Sequence, residues 1–314
     1  MSQGWMSRLF KSFHRDEEQK PAIPDQQTDT GQPPRGNIPA PVTVEPPTQP
    51  PRKPQPEAGR AAGDEGSITR VAPLRFTFHG MTDPGKVRPQ NEDSFSCVTF
   101  KEWSLFVVAD GMGGHDAGEV ASRIAVETVC REIDQGMRRQ GQALLDLIEH
   151  AVQQANSQVN REGASKGSNM GTTLCLALLT GDIAFIASVG DSRVYWSVSG
   201  ALTQITQDHS LVASLVSAGE LTKEGARNHP RSNVLYRTVG RPERIAVDTF
   251  QVALKKGGIL MLCTDGLWNE VSDESIYQIL VSHESPQAAS EKLVSTALAQ
   301  GGRDNITAVV VRIS

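Results

Sequence analysis

Leu105-Phe106-Val107-Val108-Ala109-Asp110-Gly111-Met112-Gly113-Gly114 is an apolar run of strand length that ends on an aspartate set among glycines. The same device recurs along the chain. Ile186-Ala187-Ser188-Val189 leads into Gly190-Asp191-Ser192-Arg193, and Leu260-Met261-Leu262-Cys263 leads into Thr264-Asp265-Gly266. Gly302-Arg303-Asp304-Asn305 stands just before a last apolar stretch. Any one Asp-Gly reads as a turn. Four at strand ends raise a second reading, because carboxylates gathered at one end of a sheet repel each other unless something positive sits among them. Hard divalent cations such as Mg²⁺ and Mn²⁺ favour oxygen ligands, and a neighbouring glycine lets backbone approach the ion. Spacing alone leaves turn and metal site both open.

Working outward, the strand-like stretches are Ser104–Ala109, Leu174–Thr180, Ile183–Val189, Ile259–Cys263 and Thr307–Ile313. Between them Val120, Ala121, Ile124, Ala125 and Val129 recur at helical spacing, as do Leu144, Leu147, Ile148, Ala151 and Ala155, with Gly163 as a stop. Ser272 can cap one late helix, and Ser285-Pro286 can open another that Gly301 closes. Two consecutive helices, then two strands split by Thr180-Gly181-Asp182, break a βαβ rhythm. The expected class is α+β, with helices covering an antiparallel core.

Residues 1–72 are of another kind. Twelve of the 18 prolines lie between Pro21 and Pro56, a composition that reads as a disordered linker. Nine Lys/Arg balance nine Asp/Glu there, so the whole net charge of -5 belongs to residues 73–314. An acidic domain does not read as a nucleic-acid binder. The four cysteines, Cys97, Cys130, Cys175 and Cys263, form no CxxC pair and sit in apolar surroundings, which reads as reduced thiols rather than a disulfide framework or zinc site. No apolar run reaches bilayer length, and no secretion signal is legible, so the expected location is cytoplasmic. One further pattern stands near the start. Trp5, Met6, Leu9, Phe10 and Phe13 fall on one arc of a helix over residues 4–15, with Arg8, Lys11 and Arg15 opposite. Either it is an accident of a frayed tail or it docks peripherally on an anionic membrane or a partner's groove.

Residues 76–314 resemble the protein phosphatase 2C family of metal-dependent serine/threonine phosphatases, in its bacterial form. The resemblance rests on Thr82-Asp83-Pro84-Gly85-Lys86-Val87-Arg88-Pro89-Gln90-Asn91-Glu92-Asp93-Ser94, then Asp110-Gly111-Met112-Gly113-Gly114-His115 with Gly118-Glu119, and Gly171-Thr172-Thr173. Gly190-Asp191-Ser192-Arg193, Asp208-His209-Ser210, Thr264-Asp265-Gly266-Leu267-Trp268 and Arg303-Asp304-Asn305 follow in the family's order. It implies a central sandwich of two antiparallel β-sheets flanked by helices on both sides. It implies that Asp110, Asp265, Asp304 and the Gly111 carbonyl hold two Mn²⁺ or Mg²⁺ ions, with Glu92 and Asp93 in or beside that shell. Asp191 with Asp265 would form a third metal position. Arg88 would clamp the phosphate, and residues 208–240 would form a flap beside the site.

The implied reaction is direct in-line attack by a water bridging two metals about 3.5–4 Å apart, without a phosphoenzyme. A planar guanidinium such as Arg88 matches phosphate oxygens, although a surface pair with Glu92 or Asp93 is the plainer reading of that residue. Met112 stands where animal members carry a histidine that can donate a proton. His115 is a weaker candidate for the acid than a metal-bound water, and Asp208-His209 reads as an anchor for the flap. The expected substrates are proteins phosphorylated by a cognate serine/threonine kinase, acted on by a monomer. A catalytically silent regulatory module and a small-molecule phosphomonoesterase are the alternatives.

Overall fold

In the computed structural model the described residues are 74–113, 116–139, 141–227 and 229–314. The amphipathic pattern at residues 4–15, the linker and His115 lie outside them.

Among the described residues eleven strands and seven helices follow one another as β1 (Phe76–Asp83), β2 (Asp93–Thr99), β3 (Trp103–Met112), α1 (Ala117–Met137), α2 (Leu144–Lys166), β4 (Gly171–Thr172), β5 (Leu174–Thr180), β6 (Ile183–Val189), β7 (Arg193–Val198), β8 (Ala201–Gln204), α3 (Leu211–Ser217), α4 (Lys223–Arg227), β9 (Asp248–Ala253), β10 (Ile259–Cys263), α5 (Asp265–Trp268), α6 (Asp273–Ser282), α7 (Pro286–Gln300) and β11 (Ile306–Ile313). One sheet runs β1-β11-β10-β7-β8 and the other β2-β3-β5-β6-β9, with β4 on the end of β3. Every recorded pairing is antiparallel.

Side-chain alternation explains the layering. Along β3, Leu105, Val107 and Ala109 pack with α1 and α2, whereas Phe106 and Val108 point between the sheets. Along β10, Ile259, Met261 and Cys263 pack beneath α5 to α7, and Leu260 and Leu262 enter the interior of the sandwich. Both faces of each central strand are therefore buried, which is why their sequences are unbroken apolar runs. The α+β, two-sheet sandwich with helices on both sides is the fold that the resemblance implies.

Local chemistry sets the ends of the elements. Ser272 Oγ accepts the Ser275 amide at the head of α6, and Ser285 Oγ accepts the Ala288 amide at the head of α7, with Pro286 in the first turn. The expected stop at Gly163 is not one: α2 runs on to Lys166. Gly167 ends it at φ 62°, and the Ser168 amide returns to the Gly163 carbonyl. Gly163 is glycine for another reason, since a Cβ there would sit 2.8 Å from the Ser168 carbonyl oxygen.

Residues 208–240 leave the sandwich as α3, α4 and connecting turns. Ser210 pairs with Leu235 and Thr172 with Val239 as isolated bridges, so both ends return to the same edge of the fold. His209 is buried and fastens that root: its Nδ1 accepts the Gly190 amide at 3.0 Å, and its Nε2 lies 3.1 Å from Asp248 Oδ2.

Phe106 is fully buried and meets Phe78 edge-on at 5.1 Å between centroids. Phe106→Ala should therefore lower unfolding stability by about 3–5 kcal/mol in denaturant titration. Val281→Ala, at an exposed position of α6, should change it by no more than about 0.5 kcal/mol.

Candidate active site

The antiparallel order brings the ends of β3, β6 and β10 to the same edge as the starts of β2 and β11. Asp93, the first residue of β2, is the register partner of Asp110 near the end of β3. Asp191 follows β6 by two residues, Asp265 opens α5 one residue beyond β10, and Asp304 stands shortly before β11. Asp93 and Asp191 are buried, whereas Asp110, Asp265 and Asp304 are partly so.

Their electrostatics follow from crowding. Burial, then the charges of Asp93, Asp265, Asp191 and Asp304, push the Asp110 carboxyl well above the usual carboxylate range. Burial, then Asp265 and Asp208, do the same to Asp191, against the opposing charge of Arg193. Asp265 is raised by burial and Asp304, offset by a hydrogen bond with Asp110. Two carboxyl groups can share such a bond only with a proton between them, or with a cation taking its place. Asp93 is raised by burial even though the Thr264 and Thr307 hydroxyls donate to its Oδ2 at 2.8 and 2.6 Å. Its Oδ1 and that of Asp265 are buried and receive no hydrogen bond.

Those two orphaned oxygens, in an all-oxygen donor set, fit a hard divalent cation. Among the described residues no three acidic, His or Cys side chains already close into a cage about one point, so the fit rests on donor chemistry and on the unpartnered oxygens. The backbone at Gly111 is equally constrained. A Cβ there would collide with the Gly118 carbonyl and lie 2.6 Å from that of Glu92, so only glycine lets β3 pass this close.

Arg88 stands exposed on the β1–β2 loop, and its Nη2 donates to Asp304 Oδ2 at 2.6 Å. Its partner is thus Asp304 and neither of the acids that a reading of the loop alone suggested. Glu92 is used differently: its carboxylate accepts the Gly118 amide in the first turn of α1, and burial raises its pKa. Met112 lies at the end of β3 beside Gly171.

The structure adds supports that the sequence reading did not single out. Thr173 Oγ1 accepts the Asp110 amide at 2.9 Å and lies 2.7 Å from Ser192 Oγ, tying the ends of β3 and β6 together. Trp268 Nε1 donates to the Asp191 carbonyl at 3.0 Å, and the Arg193 guanidinium stacks on the same indole at 3.5 Å while gripping Asp208. These residues stood in the quoted motifs beside the aspartates; their hydroxyl and indole roles had no periodic signal of their own.

Residues 87–300 match the sequence profile of the family described as Protein phosphatase 2C. A serine/threonine phosphatase stp of Listeria welshimeri is 38% identical over 243 residues, covering 73% of this chain and 93% of the relative. The crystal structure of Stp1 from Staphylococcus aureus superposes with a TM-score of 0.70 at 31% identity, over 76% of this chain and 96% of that one. The catalytic domain of PstP, crystallised with two manganese ions, gives 0.68 at 33% identity, over 76% and 99%. With sequence, fold and acidic strand-end cluster in agreement, the chain belongs to the protein phosphatase 2C family.

Proposed function

We propose that this chain hydrolyses phosphoserine and phosphothreonine on proteins, opposing a serine/threonine kinase, with two divalent cations held by Asp110, Asp265, Asp304 and the Gly111 carbonyl. The observation that carries the reading is the cluster of buried acids with raised pKa values and unpartnered Asp93 and Asp265 oxygens, beside an exposed arginine. Asp93 and Glu92 lie next to the pair, and Asp191 with Asp265 would hold a third ion. Mn²⁺ and Mg²⁺ both suit the donors. When bound, such cations lower the pKa of a water towards neutrality and screen phosphate charge.

The chain's own residues do the rest. Arg88, half-exposed beside Asp304, offers a permanently charged fork for phosphate oxygens. Thr264 and Thr307 hold one oxygen of Asp93 and so aim the other. Met112 has no proton to give, and we assign protonation of the leaving serine or threonine oxygen to water. Residues 208–240, rooted by His209 beside Asp191, form the flap that meets the protein substrate. The amphipathic pattern at residues 4–15 would place the enzyme at an anionic membrane surface or a partner, with the proline-rich segment as tether.

Chelation should abolish activity on a phosphothreonine peptide, and Mn²⁺ or Mg²⁺ should restore it. Asp265→Ala should cost roughly a hundredfold or more in kcat/KM. Full activity of either the chelated protein or the variant sinks the metal mechanism. Arg88→Ala should weaken phosphate binding with metal content unchanged by elemental analysis, and Arg88→Lys should recover only part of the loss.

The raised carboxyl pKa values also set a pH dependence for the metal-free protein. The folded state holds protons that the unfolded chain releases, so stability from these groups is present below the ordinary carboxylate pKa. It is lost as pH rises through the raised values, of which that of Asp93 reaches about 7. The melting temperature of chelated protein should fall between about pH 4 and 7, and added Mn²⁺ should recover most at the upper end.

A further inference from the structure

Arg88 is carried on the β1–β2 loop, outside any strand or helix. Residues 84–92 join β1 to β2 without regular hydrogen bonding, yet a phosphate clamp works only if its guanidinium is held in place. The question is what holds it.

Asn305 is buried and spends its side chain on this loop alone. Its Oδ1 accepts the Glu92 amide at 2.8 Å. Its Nδ2 donates to the Pro84 carbonyl at 2.9 Å and the Gln90 carbonyl at 2.8 Å. Both amide hydrogens and the carbonyl oxygen are thus used, each on a different point of the same nine-residue span. Two further contacts press the loop against the same turn. The Lys86 amide donates to the Gly302 carbonyl at 2.7 Å. Gly85, at φ 78°, packs so closely on Asp304 that a Cβ would collide with the Asp304 carbonyl oxygen. Between the fixed points at Lys86 and Gln90 only Val87, Arg88 and Pro89 project, and Val87 is exposed.

We propose that Asn305 is a positioning residue for the phosphate clamp, stapling both ends of the Arg88 loop to the turn that carries Asp304. The inference rests on the reading of Arg88 as the group that binds phosphate. It assigns Asn305 no contact with substrate. Its effect passes through Arg88, so its removal should matter only where Arg88 is present.

The test uses the full chain and two substitutions with different failings. Asn305→Ser is neutral but too short to reach all three partners. Asn305→Asp keeps an acceptor for the Glu92 amide and has no N–H for Pro84 or Gln90. Each is made alone and in Arg88→Ala, and its fold is checked by thermal melting. The measurements are KM and kcat on a phosphothreonine peptide, calorimetric affinity for inorganic phosphate, metal content, and hydrogen exchange over residues 84–92.

Both variants should weaken phosphate affinity about tenfold, as expected for one to two lost hydrogen bonds. They should raise KM more than they lower kcat, keep their metal, and speed exchange of residues 86–91. Neither should weaken phosphate binding further in Arg88→Ala. An undiminished loss in that background, loss of metal from both variants, or unchanged phosphate affinity overturns the proposal. If Arg88→Ala alone binds phosphate like the parent, the clamp reading fails and the proposed consequence fails with it. Exchange over 84–92 then shows separately whether Asn305 still holds the loop. Unchanged exchange together with an intact clamp refutes the staple alone.

Discussion

The structure is built around mutual repulsion. Asp93, Asp110, Asp191 and Asp265 are brought to one edge of the sandwich, where burial first and neighbouring carboxylates second raise their proton affinity. Left ionised and alone, such a group would cost several kcal/mol per charge in a low-dielectric interior. The arrangement is stable only with positive charge or protons among the acids. The hydroxyls donating to Asp93, the cation–π stack of Arg193 on Trp268 and the Arg88–Asp304 pair all reduce this repulsion or fix its members in place.

A sandwich whose central strands are buried on both faces can carry that strain. Its central strands, β3, β5, β10 and β11, contribute side chains to the interior between the sheets, and β3 and β10 also pack under helices on their outer faces. Strand ends emerging from such a core are located to within a fraction of a residue, because a slip of one position would turn every side chain to the wrong face. The Asp93–Asp110 register pairing is a direct product of this. Precision at the site comes from packing beneath it, and the carboxylates themselves contribute only cost.

How much of this was legible in the sequence depended on the length scale of each signal. Leu174–Thr180, Ile183–Val189 and Ile259–Cys263 coincide with β5, β6 and β10 because double-sided burial writes itself as an unbroken apolar run. Strand β9 did not stand out, since an edge strand with one face in solvent alternates and blends into its surroundings. Gly163 reads as a helix end in sequence because glycine marks both a left-handed cap and a close approach, and only the fold separates the two. The acids at the strand ends were visible through their glycine neighbours. The partner of Arg88 was not: Asp304 lies 216 positions away, a separation only the closed sheet can bridge.

The contrast between the acids and Arg88 carries one further consequence. Groups proposed to hold cations benefit from rigidity, and four of these aspartates begin, end or closely follow strands or a helix anchored in the core. The group assigned to an incoming phosphate must remain reachable, so it stands on an exposed loop. A loop that projects freely would surrender binding energy to ordering its side chain, at about 0.5–1.5 kcal/mol for each long side chain immobilised. Fastening the loop at both ends and leaving three residues to project resolves the conflict. The side chain that does so most fully is Asn305, which directly follows Asp304. One turn of backbone therefore carries both a carboxylate of the acidic cluster and the side chain proposed to staple the Arg88 loop. The two cannot drift apart without breaking the hydrogen bonds to Pro84, Gln90 and Glu92 that hold the β1–β2 loop against the strand.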